Sequence, residues 1–179
     1  MTITAMKHYL KEKKTSELIK IITSLYKLDS KNRDFLESLI NPENDEVLFE
    51  KYKQIIEHEF FPPKGDPKLR YSVMRSAIND FKKICKKPEH IANLMLHYVS
   101  SGVKFTNAYG DIDEAFYIKM ENMYRDALNY IFKHGLEKKF DDFCLKIKMG
   151  AEGIGWGFEH DMDDIYYAFY NDDDWMNEE

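Results

Sequence analysis

The chain has 179 residues, of which 44% are hydrophobic, 15% aromatic and 32% charged; this composition supports one folded domain with a sizeable core and argues against general disorder. The formal net charge of -6 argues against general nucleic-acid binding. No apolar run approaches the roughly 18 residues that a membrane span requires, and residues 1–8 lack a signal peptide's order of basic, apolar and small residues, so the expected location is the cytoplasm.

Residues 2–13 read as a weak first helix. Thr15, Ser16 and Glu17 open a stronger one, in which Leu18, Ile21, Ile22, Leu25, Tyr26 and Leu28 recur at three and four and define an inward face. Asp29 and Ser30 form a cap signal, and a short helix follows through Phe35, Leu36, Leu39 and Ile40. Asn41 and Pro42 stop and restart the chain. The next helix, about 43–60, places Leu48, Tyr52, Ile56 and Phe60 inward. Three prolines and a glycine between residues 61 and 68 demand a loop.

A further helix carries Met74, Ala77, Ile78, Phe81 and Ile84. Pro88 starts another, with Ile91, Leu94, Met95, Tyr98 and Val99 inward, and Ser101 with Gly102 reads as its end. Asp111, three residues before Glu114, opens a long helix that runs to a basic last turn and to Gly135, which suits a left-handed C-terminal cap. Leu136, Phe140, Phe143 and Ile147 mark one more helix. Asp161 opens a last helix with Met162, Ile165, Tyr166 and Phe169. Residues 172–179 read as a mobile acidic tail. No stretch alternates well enough to be a strand; residues 98–106 come nearest. The expected fold is all-α, a single domain over residues 1–171 of eight or nine helices in antiparallel hairpins, arranged as an irregular bundle or a short repeat-like stack.

Cys85 and Cys144 both fall on apolar helix faces and read as reduced core thiols. The charge is unevenly spread. Residues 1–104 carry 19 Lys/Arg against 14 Asp/Glu, whereas residues 105–179 carry 7 against 18. The acidic end therefore complements the basic part, within one chain or between two.

The most unusual stretch runs from Gly150 to Asp161 (GAEGIGWGFEHD) and holds half of the eight glycines. Gly155 and Gly157 flank Trp156, and Phe158 follows. The aromatic pair is expected to anchor this loop against the core as a tertiary lock. Glu159, His160, Asp161, Asp163 and Asp164 are the densest set of potential metal ligands. A His–Asp dyad on a helix is the core of HD-type phosphohydrolase sites, which also need an upstream His, here His97 or His90, and a downstream Asp among residues 172–174. The simpler reading makes Asp161 a helix cap and its acidic neighbours complements to the helix dipole. The loop lacks the preceding strand and the Lys of a phosphate cradle. Lys82, Lys83, Lys86 and Lys87 form a candidate basic patch at a helix end, within a basic segment 68–87; without interleaved stacking aromatics it does not favour nucleic acid.

Four stretches are similar to the motifs of a bacterial cytoplasmic family known only as a domain of unknown function. They are residues 16–26 (SELIKIITSLY), 32–36 (NRDFL), 105–113 (FTNAYGDID) and 155–161 (GWGFEHD). The resemblance covers most of the chain and implies a bacterial, helical protein, with no catalytic role to carry over.

The expectation is a non-enzymatic helical interaction module, with a protein partner or a second copy as its target, no membrane and no assigned cofactor. The alternatives are a metal-dependent, HD-like phosphohydrolase using His160, Asp161, Asp164 and His97, and nucleic-acid binding through residues 68–87.

Overall fold

The structure is a computed structural model and describes residues 1–41 and 45–170. Among these the chain is all helical: nine α-helices and no strand. The segment expected to form a mobile tail, 172–179, lies outside the described residues, as does Pro42. Contacts divide the chain into two units, which meet at Asp45.

The N-terminal unit holds α1 (Ile3–Lys11), α2 (Thr15–Leu28) and α3 (Ser30–Ile40). Its starts follow the cap signals. Glu17 accepts from the Lys14 N–H at 2.9 Å, and Asp29 accepts from the Lys31 N–H at 2.7 Å. The one-residue turn between α2 and α3 is held by Asn32, whose amide donates to the Leu25 carbonyl at 3.1 Å, and by Tyr26, whose hydroxyl donates to Glu37 at 2.9 Å. The expected inward face of α2 is not a core face. Leu18, Ile21 and Tyr26 are half-buried, while Ile22, Leu25 and Leu28 are exposed. Periodicity places residues on one side of a helix but does not supply enough neighbouring surface to cover them.

The second unit is a bundle of α4 (Asp45–Phe60), α5 (Tyr71–Ile84), α6 (Pro88–Tyr109), α7 (Glu114–Lys133), α8 (Glu137–Gly150) and α9 (Phe158–Tyr167). Side-chain contacts run in opposite directions along successive helices. Tyr52 meets Phe81 where Glu59 meets Arg70, and Gly102 faces Met120 where Phe105 meets Phe116. This is the up-and-down hairpin order that short connections enforce. Buried Leu94, Met95, Leu96, Tyr124 and Leu128 on α6 and α7 form the middle of the core.

Two connections are tied by polar groups. Glu59, almost fully buried, accepts from the Arg70 backbone N–H at 2.9 Å and from its Nε at 3.0 Å, which fastens the proline-rich loop to the end of α4. Gly135, with φ 64°, ends α7 in the left-handed conformation.

Three boundaries differ from the sequence reading. Helix α6 does not end at Gly102. It runs on to Tyr109, because Gly102 is where α7 approaches most closely: a Cβ there would come within 3.0 Å of Met120 Cγ. Residues 98–106 are accordingly helix. The cap of α7 is Asp113, not Asp111; its carboxylate accepts from the Phe116 N–H at 2.7 Å. Helix α9 begins at Phe158 behind Gly157, so Asp161 lies inside the first turn rather than capping it.

Candidate functional site: the loop between α8 and α9

The glycine-rich loop leaves α8 at Gly150 and folds back over the α6–α7 connection. Its own apolar residues Ala151 and Ile154 point inward, and Phe158, fully buried, seats its ring 4.9 Å from that of Tyr117. Polar ties complete the docking. The Asn107 amide donates to the Gly150 carbonyl at 2.8 Å, and the Gly153 N–H donates to Glu159 at 3.0 Å. Gly155 lies against Asp111: a Cβ at that position would stand 2.9 Å from its Oδ2. The Tyr117 hydroxyl donates to the other oxygen of Asp111 at 3.0 Å and lies 2.8 Å from the Thr106 hydroxyl. Burial raises the Tyr117 pKa, so this hydroxyl stays a proton donor.

Trp156 does not share in this anchoring. It is 59% exposed, and its φ of 60° places it in the left-handed region, where a side chain costs about 1–2 kcal/mol relative to glycine. Phe158 holds the loop, and the indole is presented on the surface. Left-handed backbone at Gly153, Trp156 and Gly157 (φ 78°, 60° and 77°) turns the chain between the exposed indole and the buried Phe158. Asp111, Glu152 and Asp161 are exposed carboxylates of this region. Glu121 is held above the usual carboxylate range by burial and by the charge of Asp161. An indole beside carboxylates suits a cationic side chain on a partner, through its ring face and by charge.

The other predicted residues are dispersed. His160, Asp161 and Asp164 are exposed on α9, and Asp163 is engaged by Lys148 at 3.0 Å. His97 lies half-buried on α6, 3.5 Å from the Ser101 hydroxyl. Burial pushes its pKa down to about 4, and the charged groups around it, Glu50, Lys53, Glu57 and Lys104, belong to α4 and α6. His90 stands edge-on to the Phe49 ring, 5.3 Å away. Among the described residues no three His, Cys, Asp or Glu side chains converge as a metal-holding set; residues 172–174 lie outside that description. Cys85 and Cys144 are both buried thiols, and burial pushes that of Cys144 up to about 12.

Of the basic patch, Lys83 pairs with Asp80 at 3.0 Å, and the Lys82 ammonium stands over the Tyr130 ring, 5.5 Å from its centre. Lys86 and Lys87 lie on the exposed connection to α6. Sequence reasoning missed Asn107 and the strap role of Asp111. Asn107 bonds a carbonyl 43 residues away, and Asp111 lies against Gly155 while it accepts from Tyr117, so no local pattern carries either role.

The model of a family described as of unknown function, DUF6155, matches residues 1–170. Comparison with curated proteins and with solved structures yields no match.

Proposed function

We propose, for a chain that belongs to the family of unknown function DUF6155, that it is a non-enzymatic helical interaction module acting in the cytoplasm, and that it engages a basic surface of a protein partner through the α8–α9 loop. The observation that carries this reading is Trp156, an exposed indole held at φ 60° on a loop whose other apolar residues are docked. An unstrained buried alternative would be expected if the ring served only stability; strain kept at a surface residue is a mark of function. Tryptophan is also among the residues that carry most interface energy. Exposed Ile22, Leu25, Leu28, Leu39 and Ile40 in the N-terminal unit add apolar surface of the kind that partners cover. The two buried thiols accord with a reducing compartment. No helix among the described residues is long and apolar enough to cross a membrane.

The test is affinity capture from the native host with the intact chain and Trp156→Ala in parallel, alongside light scattering of both. The expected result is a protein retained at low salt by the parent and lost from the variant, or a concentration-dependent dimer that the variant lacks. Identical retention by both chains, or a monomer that retains nothing at low salt, would refute it.

A further inference from the structure

A second site is built by α5, α6 and α7 from residues outside the α8–α9 loop. Helices α5, α6 and α7 enclose a cavity of about 260 Å³, lined by Tyr71, Ser72 and Arg75 from α5, by Tyr98 from α6, and by Lys119, Asn122, Met123 and Asp126 from α7. Its volume lies just below the range of ligand pockets, which begins at about 300 Å³, so any ligand would be small.

The wall is built around Tyr98. This residue is only 3% exposed, yet its hydroxyl makes no hydrogen bond with the described residues. The ring is buried while the hydroxyl opens on the cavity and is free to donate there, whereas Tyr117, Tyr124 and Tyr166 donate to Asp111, the Cys144 carbonyl and Asp141. The phenol sits within the electrostatic reach of Tyr71 and Arg75, both cavity residues, and burial keeps it protonated.

The remaining groups set the charge of a ligand that the cavity suits. The Arg75 guanidinium forms no ion pair with the described residues. The Lys119 ammonium lies over the Tyr71 ring, 4.5 Å from its centre, and donates only to the Ala115 carbonyl at 2.6 Å. One carboxylate, Asp126, shares the wall, and it interacts with Lys82 outside. Two cations, two phenols, a serine hydroxyl and a side-chain amide thus face a space with one carboxylate. The Met123 side chain and the tyrosine rings supply an apolar floor.

We propose that this cavity binds a small organic oxyanion, its phosphate or carboxylate head held by Arg75, Lys119 and the Tyr98 hydroxyl and its apolar body resting on Met123 and Tyr71. The site is independent of the Trp156 loop, so either reading can fail alone.

The experiment is isothermal titration of the whole chain with phenyl phosphate, benzoate and inorganic phosphate, with thermal melts in parallel. Binding of phenyl phosphate or benzoate tighter than inorganic phosphate is expected, the two aryl probes telling a phosphate head from a carboxylate one. Tyr98→Phe should weaken binding about tenfold or more, since one hydrogen bond to a charged acceptor is lost. The same variant should melt near the parent's temperature without ligand, because the hydroxyl it removes opens on the cavity and bonds no protein group. Arg75→Gln, an exposed change that the fold tolerates, should weaken binding by a similar factor. Absence of binding by all three probes, or equal affinity in the parent and both variants, would overturn the proposal.

Discussion

Replacing Phe158 by alanine tests how the loop is held, and Trp156→Ala is its control. Phe158 is fully buried between α7 and α9, with its ring 4.9 Å from Tyr117, so truncation removes a whole aromatic side chain from a packed site. Changes of this kind cost about 3–5 kcal/mol. Trp156 is 59% exposed. An aromatic side chain buries about 150–250 Å² when fully covered, and about two-fifths of that range is roughly 60–100 Å². At about 25 cal/mol per Å², truncation costs at most about 2.5 kcal/mol, an upper bound because the unfolded chain already covers part of it. Alanine keeps the left-handed backbone strain; glycine relieves it, which offsets about 1 kcal/mol or more. The expected order of destabilisation is Phe158→Ala, then Trp156→Ala, then Trp156→Gly. Urea unfolding followed by far-UV circular dichroism measures it. A Trp156→Ala loss equal to that of Phe158→Ala would show that the indole is packed and would remove the basis for the loop as an interaction surface.

Gly102 and His97 give two further tests. Gly102→Ala should destabilise by about 1–2 kcal/mol, because the clash with fully buried Met120 outweighs the roughly 1 kcal/mol that alanine gains in a helix. Adding Met120→Ala should recover part of the loss attributable to the clash, a coupling that a double-mutant cycle reads; a stabilising Gly102→Ala would mean the helices do not meet there. His97 has its folded pKa lowered from 6.5 to about 4 by burial. Between those values the unfolded chain binds more protons than the folded one, so His97 costs no stability above pH 6.5 and an increasing amount as pH falls toward 4, at up to about 1.4 kcal/mol per pH unit. Imidazole NMR should find His97 neutral at pH 5.5 to 6, and His97→Gln should flatten the acid limb of the stability curve. A charged His97 in that range would place it in solvent.

The all-helical class, the order of the helices and most of their starts were legible in one dimension. They depend on interactions within about four residues: the spacing of Met74, Ala77, Ile78 and Phe81, the Asp29 cap, Pro88 at a helix start, Gly135 at a helix end. Each of these has its partner inside the same turn, so a string of letters contains the whole cause. The likeness of residues 16–26 and 155–161 to a family of unknown function was legible too, and the family match bears it out.

Depth and convergence were decided only in three dimensions. Gly102 reads locally as a helix stop, but α7 lies against it and α6 continues. Asp111 reads as a cap, yet its carboxylate serves Tyr117 and abuts Gly155, 44 positions later in the chain. Trp156 and Phe158 are both large aromatics in sequence; Phe158 packs on Tyr117, while left-handed backbone at Trp156 and Gly157 leaves the indole on the surface. The cavity at Tyr98 draws on three helices, none of which has a pattern marking it. Local hydrogen bonding and periodicity choose the helices, whereas the packing of distant surfaces chooses which of their side chains meet solvent, a ligand or one another.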